Sequence, residues 1–399
     1  MGETRVARTT ILLLVSLLAF AACGPGKSWD ELNKEATEAV QGGDAEAAAT
    51  LLGEALQLAR DGGDPDQIIK SLTNLGDLYT SRSDLPKAVT YFEQAFAEIE
   101  KKLGADHIDL ARGCDSLGRH YRNLGRADDA LAILKRGLEI REKHLEPEAQ
   151  EIADSLNSIG AVLIQTNQPD EALPMIERAI GIWQGAMASH PKLGAAHANL
   201  AQIRRFQGDF PGAITELEKA VDVFRQNFGP RDPRLASTMH SLGKEYHRAG
   251  RLEDAERTYR NALSIREEVL GARHVDTAHS MTNLGMLMRS QRRPQAAEPL
   301  YVDALSILRE QLGDGHRDVA SGEFNLGVLY ASMGRFGEAE PLFKSSLATY
   351  ETNLGDNHPT VAMILRNYVE LLRQDGRADE AAPLEARLKS IAEGSADPA

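Results

Sequence analysis

Residues 72–79 read Leu72-Thr73-Asn74-Leu75-Gly76-Asp77-Leu78-Tyr79. Leu72, Leu75, Gly76 and Tyr79 fall at i, i+3, i+4 and i+7, one face of an α-helix. The Asn-Leu pair at the centre returns as Ser116-Leu117, Ser158-Ile159, Asn199-Leu200, Ser241-Leu242, Asn283-Leu284, Asn325-Leu326 and Asn367-Tyr368, at steps of 42, 42, 41, 42, 42, 42 and 42 residues. Amphipathicity alone does not produce so fixed a period, so the unit is a structural repeat. A weaker copy precedes these, with Asp44 matching Asp84, Ala48 matching Ala88, and Lys34 in the Asn slot. The pattern predicts nine repeats over residues 28–392, with a flexible tail at 393–399.

Each unit carries the chemistry of two packed helices. After the Asn/Ser-Leu pair stands Gly76, Gly118, Gly160, Ala201, Gly243, Gly285 or Gly327, with Val369 the exception, and twelve residues further an alanine follows every time, as at Ala88, Ala255 and Ala339. Small residues at one point on each helix let two backbones cross closely. Tyr79, Tyr121, Tyr246 and Tyr330 on the first helix, and Phe92, Leu134, Ile176, Leu217, Tyr259, Tyr301 and Phe343 on the second, fill the space on either side. Breakers such as Gly125-Arg126, Gly208-Asp209 and Gly250-Arg251 lie between, where Gly takes the positive φ of a helix C-terminus. With 42% hydrophobic but only 5% aromatic residues, the composition also favours helix over sheet.

These slots, with the trailing Ala95, Ala179, Ala220, Ala262 and Ala304, resemble the tetratricopeptide repeat. The period of 42 and segments such as Gly271-Ala272-Arg273-His274, Glu298-Pro299-Leu300-Tyr301 and Ile265-Arg266-Glu267-Glu268 are similar to kinesin light chains and their bacterial relatives. The resemblance implies an all-α fold, a right-handed α-solenoid of helix-turn-helix units, and a binding role without catalysis. Repeat 5 begins one residue early, after Gly185 and His190-Pro191, and has Arg204 in its Tyr slot, which predicts a local irregularity. The ends read as wetted caps: Ala47-Ala48-Ala49 replaces large residues in repeat 1, and Glu385 takes an aromatic slot in the last helix.

The first residues differ in kind. Arg5 and Arg8 precede an apolar run from Ile11 to Ala22, shorter than the roughly 20 residues of a spanning helix, and this reads as an export signal over residues 1–22. Phe20-Ala21-Ala22-Cys23-Gly24 resembles a bacterial lipobox, which implies diacylglycerol on Cys23, a short linker at 23–27 and, with Gly24 following, an outer-membrane lipoprotein. Cys114 then has no intramolecular partner, and its place on a buried helix face predicts an inert packing thiol.

Formal charge is −14, so the molecule as a whole repels nucleic acid and anionic lipid, and no nucleic-acid partner is expected. No phosphate loop, nucleophile elbow, Cys-x-x-Cys or His-Glu-x-x-His motif occurs. The histidines His107, His274, His316 and His358 recur at the repeat period, one per unit, which suits capping better than a convergent metal site. Neither enzyme activity, a metal nor a cofactor is expected.

In tetratricopeptide arrays the first helices line the concave face, and their exposed positions lie 4 and 1 before, and 3, 6 and 7 after, the Asn slot. Those positions hold Lys70, Arg112, Arg119, Arg122, Arg205, Lys244, Arg248, Arg289, Arg366 and Arg373 against Asp77, Asp115, Asp154 and Glu370, opposite in sign to the whole chain. His240, His247 and His279 join them and would add charge at mildly acidic pH. The resemblance implies that Asn74, Asn199, Asn283, Asn325 and Asn367 hydrogen-bond the backbone of an extended peptide, since an amide both donates and accepts. The alternative is that the amides bridge neighbouring helices and the cations only solvate the wall. The expected partner is a protein or peptide segment, acidic or extended. The alternatives are an envelope assembly factor or a glycan- or polymer-handling helper, the latter needing stacking aromatics, for which only Phe206 and Phe324 qualify, and a lipid-anchored enzyme or carrier, which would need a convergent polar pocket.

Overall fold

The computed structural model describes residues 26–187 and 189–394, so the expected export signal, the lipobox-like stretch with Cys23 and residues 395–399 of the expected tail lie outside the described residues. All regular structure among these residues is helical, in eighteen helices, and the chain divides into two compact units at Gln168/Pro169. The first unit contains α1 (Trp29–Gln41), α2 (Ala45–Gly62), α3 (Pro65–Ser81), α4 (Leu85–Leu103), α5 (Leu110–Asn123), α6 (Ala127–His144) and α7 (Gln150–Gln165). The second contains α8 (Pro169–Ala186), α9 (Leu193–Phe206), α10 (Phe210–Phe228), α11 (Pro233–Arg248), α12 (Leu252–Leu270), α13 (Val275–Ser290), α14 (Pro294–Leu312), α15 (Arg317–Ser332), α16 (Phe336–Leu354), α17 (Pro359–Gln374) and α18 (Ala378–Gly394). Odd-numbered helices are the first of each repeat and even-numbered ones the second. Each helix packs on the next in sequence within its unit, the stacking of an α-solenoid. None is long and apolar enough to cross a membrane.

Helix starts follow from capping residues. Asp84 and Asp209 accept from the backbone N–H of Lys87 and Gly212 at 3.3 and 2.9 Å, and Ser28 with Glu31 forms a capping box. The recurrent linker histidines do the same work: Nδ1 of His107, His274, His316 and His358 accepts from the N–H two residues on at 3.1–3.2 Å. Turns within a hairpin need a left-handed residue, and Gly250 supplies it at φ 72°, whereas Arg292 is held at φ 58° in the corresponding turn.

The small-against-large expectation holds at the helix crossings. A Cβ on Gly76 would lie 2.6 Å from the Phe92 ring, and one on Gly243 would lie 2.7 Å from the Tyr259 ring, so these crossings admit no side chain. Ala88, Ala130, Ala172, Ala213, Ala255, Ala297, Ala339 and Ala381 are all buried. Cys114 is free and buried, and burial pushes its thiol up to about 11, which keeps it protonated and inert.

The Gly-Arg turns carry a second device that their sequence does not announce. Arg126, Arg251 and Arg335 lie over the rings of Tyr121, Tyr246 and Tyr330 at 4.5, 4.2 and 4.1 Å. Arg126 and Arg335 reach Glu93 and Glu298 of the preceding repeat at 3.2 and 2.8 Å, and Tyr121 and Tyr246 donate to Glu93 and Glu218 at 2.8 and 2.6 Å. Each turn is thereby tied to the helix before it. In the last turn Glu340 accepts from Arg377 at 2.6 Å, Lys344 at 2.7 Å and Tyr368 at 2.8 Å. Arg377 and then Lys344 hold its carboxyl down to about 2 from 4.5. A depressed folded-state pKa stabilises fully above the unfolded value and is lost as pH falls toward the folded one. The urea midpoint of the C-terminal repeats is therefore expected to drop between pH 4.5 and 2, and to drop less in Glu340→Gln.

Candidate recognition face

The first helices of successive repeats are the ones that meet: α5 touches α7 in the first unit, and in the second α11 touches α13, α13 touches α15 and α15 touches α17. Within each unit they form a shared wall, and the residues counted from the Asn slot stand on it.

In the first unit Asn74 donates to Asn33 Oδ1 of α1 at 3.0 Å, so the neighbour in repeat 1 is Asn33 rather than Lys34. Lys70 sits over the Trp29 ring at 5.1 Å. Asp115 does not offset the basic wall, because Arg141 of α6 binds its carboxylate at 2.9 Å while also donating to Ser155 Oγ of α7 at 2.5 Å. Asp77 is exposed on the wall beside Asn74, and desolvation raises its carboxyl above the ordinary value. Arg112 and Arg119 are exposed, Arg122 is half-buried, and none of the three forms a salt bridge among the described residues.

In the second unit Arg205, Lys244, Arg289 and Arg366 are likewise without a carboxylate partner among the described residues. Arg248 and Arg373 differ from expectation: Arg248 pairs with Glu245 at 3.0 Å and Arg373 with Glu385 at 2.8 Å, so neither is a free cation. Of the amides, Asn283 donates to His240 Nε2 of α11 at 3.2 Å and to the His279 carbonyl at 2.9 Å, and Asn367 donates to the Met363 carbonyl at 2.9 Å. Asn199 is half-buried and already engaged, and Asn325 is half-buried with no hydrogen bond among the described residues. Asn74 and Asn283 thus bridge neighbouring helices, the alternative left open by the sequence.

Of the wall histidines, His240 does not add the expected charge. Burial lowers His240 to about 4, so it stays neutral at mildly acidic pH, and burial lowers His247 as well. Phe324 packs on Phe343 at 5.9 Å and is half-buried, leaving exposed Phe206, under Arg205 at 5.3 Å, as the aromatic of that pair open for stacking. Two clefts, of about 380 and 660 Å³, open between α9 and α11, where Ala195, Ala198 and Ala201 are small and Arg204, in the Tyr slot, turns to Glu177 at 3.8 Å. Among the described residues no cluster of three His, Cys, Asp or Glu could hold a metal.

Sequence reasoning missed Arg141 and Arg266. Arg266 donates to Ser280 Oγ at 2.7 Å and the Asp276 carbonyl at 3.0 Å, and both arginines are buried clamps from a second helix to the next first helix. The repeated Ile-Arg-Glu, Ile140-Arg141-Glu142 and Ile265-Arg266-Glu267, was the available signal.

Two-helix repeats stacked in register, with a polar wall of first helices, define a helical-repeat scaffold of the kind that binds protein partners. The tetratricopeptide repeat model matches residues 67–143, 115–185, 192–267, 246–310 and 312–393, and the chain belongs to that family. Similar solved structures include BtubC (BKLC) from P. vanneervenii, 25% identical over 58% of this chain and 94% of that one, with TM-score 0.50. A putative kinesin light chain of nearly identical TPR-like repeats from Podosopora anserina is 20% identical over 52% of this chain and 97% of that one, with TM-score 0.47. A signal transduction ATPase with a tetratricopeptide repeat sensor from Pyrococcus horikoshii is 10% identical over 86% of this chain and 52% of that one, with TM-score 0.61. No curated protein matches. The family is typically non-catalytic.

Proposed function

We propose that this chain is a non-catalytic scaffold whose first-helix wall binds an extended, acidic segment of a protein partner, and that diacylglycerol on Cys23 tethers it to a bacterial outer membrane. One observation carries the binding reading. Turn and second-helix cations such as Arg126, Arg136, Arg273, Arg335 and Arg387 are bound to carboxylates of their own chain. Arg112, Arg119, Arg122, Arg205, Lys244, Arg289 and Arg366, all on first helices, are not. In a chain with 59 acidic and 45 basic residues, cations left without carboxylates along the first-helix wall are available to a partner. Each exposed pair contributes little, about 0.2–1 kcal/mol, so affinity comes from a row of them. The lipid rests on the lipobox resemblance and would raise the local concentration of the wall near one membrane.

The test uses a fluorescein-labelled (Glu-Ser)6 peptide with (Lys-Ser)6 as control, followed by anisotropy at low and physiological salt. Lys244→Glu with Arg289→Glu is expected to weaken (Glu-Ser)6 binding about tenfold, two solvent-screened pairs at about 0.2–1 kcal/mol each being reversed rather than merely removed. Arg257→Glu, on the exposed side of α12, is expected to leave it unchanged. Equal binding of both peptides, or insensitivity to the double reversal, would sink the acidic-segment reading.

A further inference from the structure

Glu245 stands in a slot that other repeats fill with apolar residues. Four residues after the Asn slot come Leu78, Ile203, Leu287, Leu329 and Leu371, all buried, and the other polar occupant is His120, stacked on Phe92 at 4.0 Å. Glu245 is 6% exposed. Its Oε1 accepts from Arg248 at 3.0 Å, while Oε2 is buried with no hydrogen-bond partner. Burying a carboxylate oxygen without a donor is unfavourable, and departures from a repeat's own pattern that carry such a penalty are expected at functional or strained sites.

Its surroundings say what would relieve it. Glu245 lines the cleft of about 380 Å³ between α9 and α11, together with Gln202, Arg205, Ser237, Ser241 and Lys244. Ser237, Ser241 and Lys244 are exposed and Glu245 is buried, so Glu245 lies at the base of the cleft, with Thr238 and Leu217, beneath a rim of hydroxyls and ammonium. Neither Arg205 nor Lys244 has a carboxylate partner among the described residues. A carboxylate ligand would satisfy the cations but meet Glu245 with like charge. A cationic ligand would satisfy Glu245 but meet Lys244, Arg205 and Arg248. A primary carboxamide offers N–H donors to the base and a carbonyl acceptor to the rim on one planar group.

We infer that the α9–α11 cleft is a carboxamide pocket that selects a Gln or Asn side chain within the partner's extended segment. This rests on the acidic-segment reading and adds a specificity element to it: the wall's free cations supply general attraction, and Glu245 supplies the register.

The probes are blocked peptides of sequence Glu-Glu-Ser-X-Ser-Glu-Glu, N-acetylated and ending in an N-methylamide so that no terminal primary carboxamide is present, with X as Gln, Met, Glu or Lys. Calorimetry on the purified protein is expected to show the Gln peptide binding about tenfold more tightly than its Met isostere, with the Glu and Lys peptides no better than Met. Glu245→Leu installs the residue of the sister repeats, so the variant is expected to fold with an undiminished melting temperature, to bind the Met peptide at least as tightly as the wild type because Arg248 is then released, and to lose the Gln preference. Equal affinities across X in the wild-type protein, or a Gln preference that survives Glu245→Leu, overturn the pocket while leaving the wall reading intact, and Glu245 is then satisfied by water alone. Failure of every peptide to bind overturns both.

Discussion

Phe343→Ala is expected to lower the stability of the C-terminal repeats by about 3–5 kcal/mol, the range for truncating a fully buried aromatic. Phe343 is 0% exposed and faces Gly327, where a Cβ would lie 3.1 Å from its ring. Its ring also meets Phe324 at 5.9 Å and Tyr368 at 6.3 Å, so one side chain closes the α15–α16 hairpin and joins it to α17. Stacked repeats contact mainly their neighbours, so the loss should be local. Amide exchange is expected to accelerate across residues 317–374 well before it does across residues 193–270. Uniform acceleration across the second unit would show that its repeats unfold as one block.

Arg141→Ala is expected to destabilise the first unit by about 3 kcal/mol, the lower end for breaking a buried ion pair by removing one partner, because Asp115 keeps some access to water. Arg141 is 5% exposed and holds both Asp115 and Ser155. Urea denaturation followed by far-UV circular dichroism measures the change. Adding Asp115→Asn is expected to return part of it, since the orphaned charge is then gone. A single mutant within 0.5 kcal/mol of wild type on that scale would mean that water replaces the clamp.

The sequence made the hairpins legible because close helix crossings impose a rule on single residues. Gly76 beneath Phe92 and Gly243 beneath Tyr259 can be read without coordinates, since small and large residues recur there at one spacing within a fixed period. The ties between repeats were not legible. Arg126 and Arg335 read as turn residues because their Glu93 and Glu298 partners lie more than thirty positions earlier, on a helix whose rotation only packing fixes. The wall was half legible. Arg119, Arg122, Lys244 and Arg289 stand where counting from the Asn slot placed them, but Arg248 and Asp115 are engaged by Glu245 and Arg141, which the count treated as lying off the wall. His240 differs from expectation for another reason: it sits at a nominally exposed position, yet its neighbours in α12 and α13 desolvate it, so its charge could not be inferred from position. Glu245 is not legible from the exposed slots, because its signal, a carboxylate in a largely aliphatic column, lies in the buried ones.

The residues that close a hairpin and the residues that face outward from the first helices are different residues, set by different offsets from the same Asn slot. A substitution at Arg119 or Lys244 leaves Gly118, Leu134, Gly243 and Tyr259 untouched. Selection can therefore rewrite what such a surface reads one register at a time, or lengthen the reading frame by duplicating a 42-residue cassette, without renegotiating the fold that displays it.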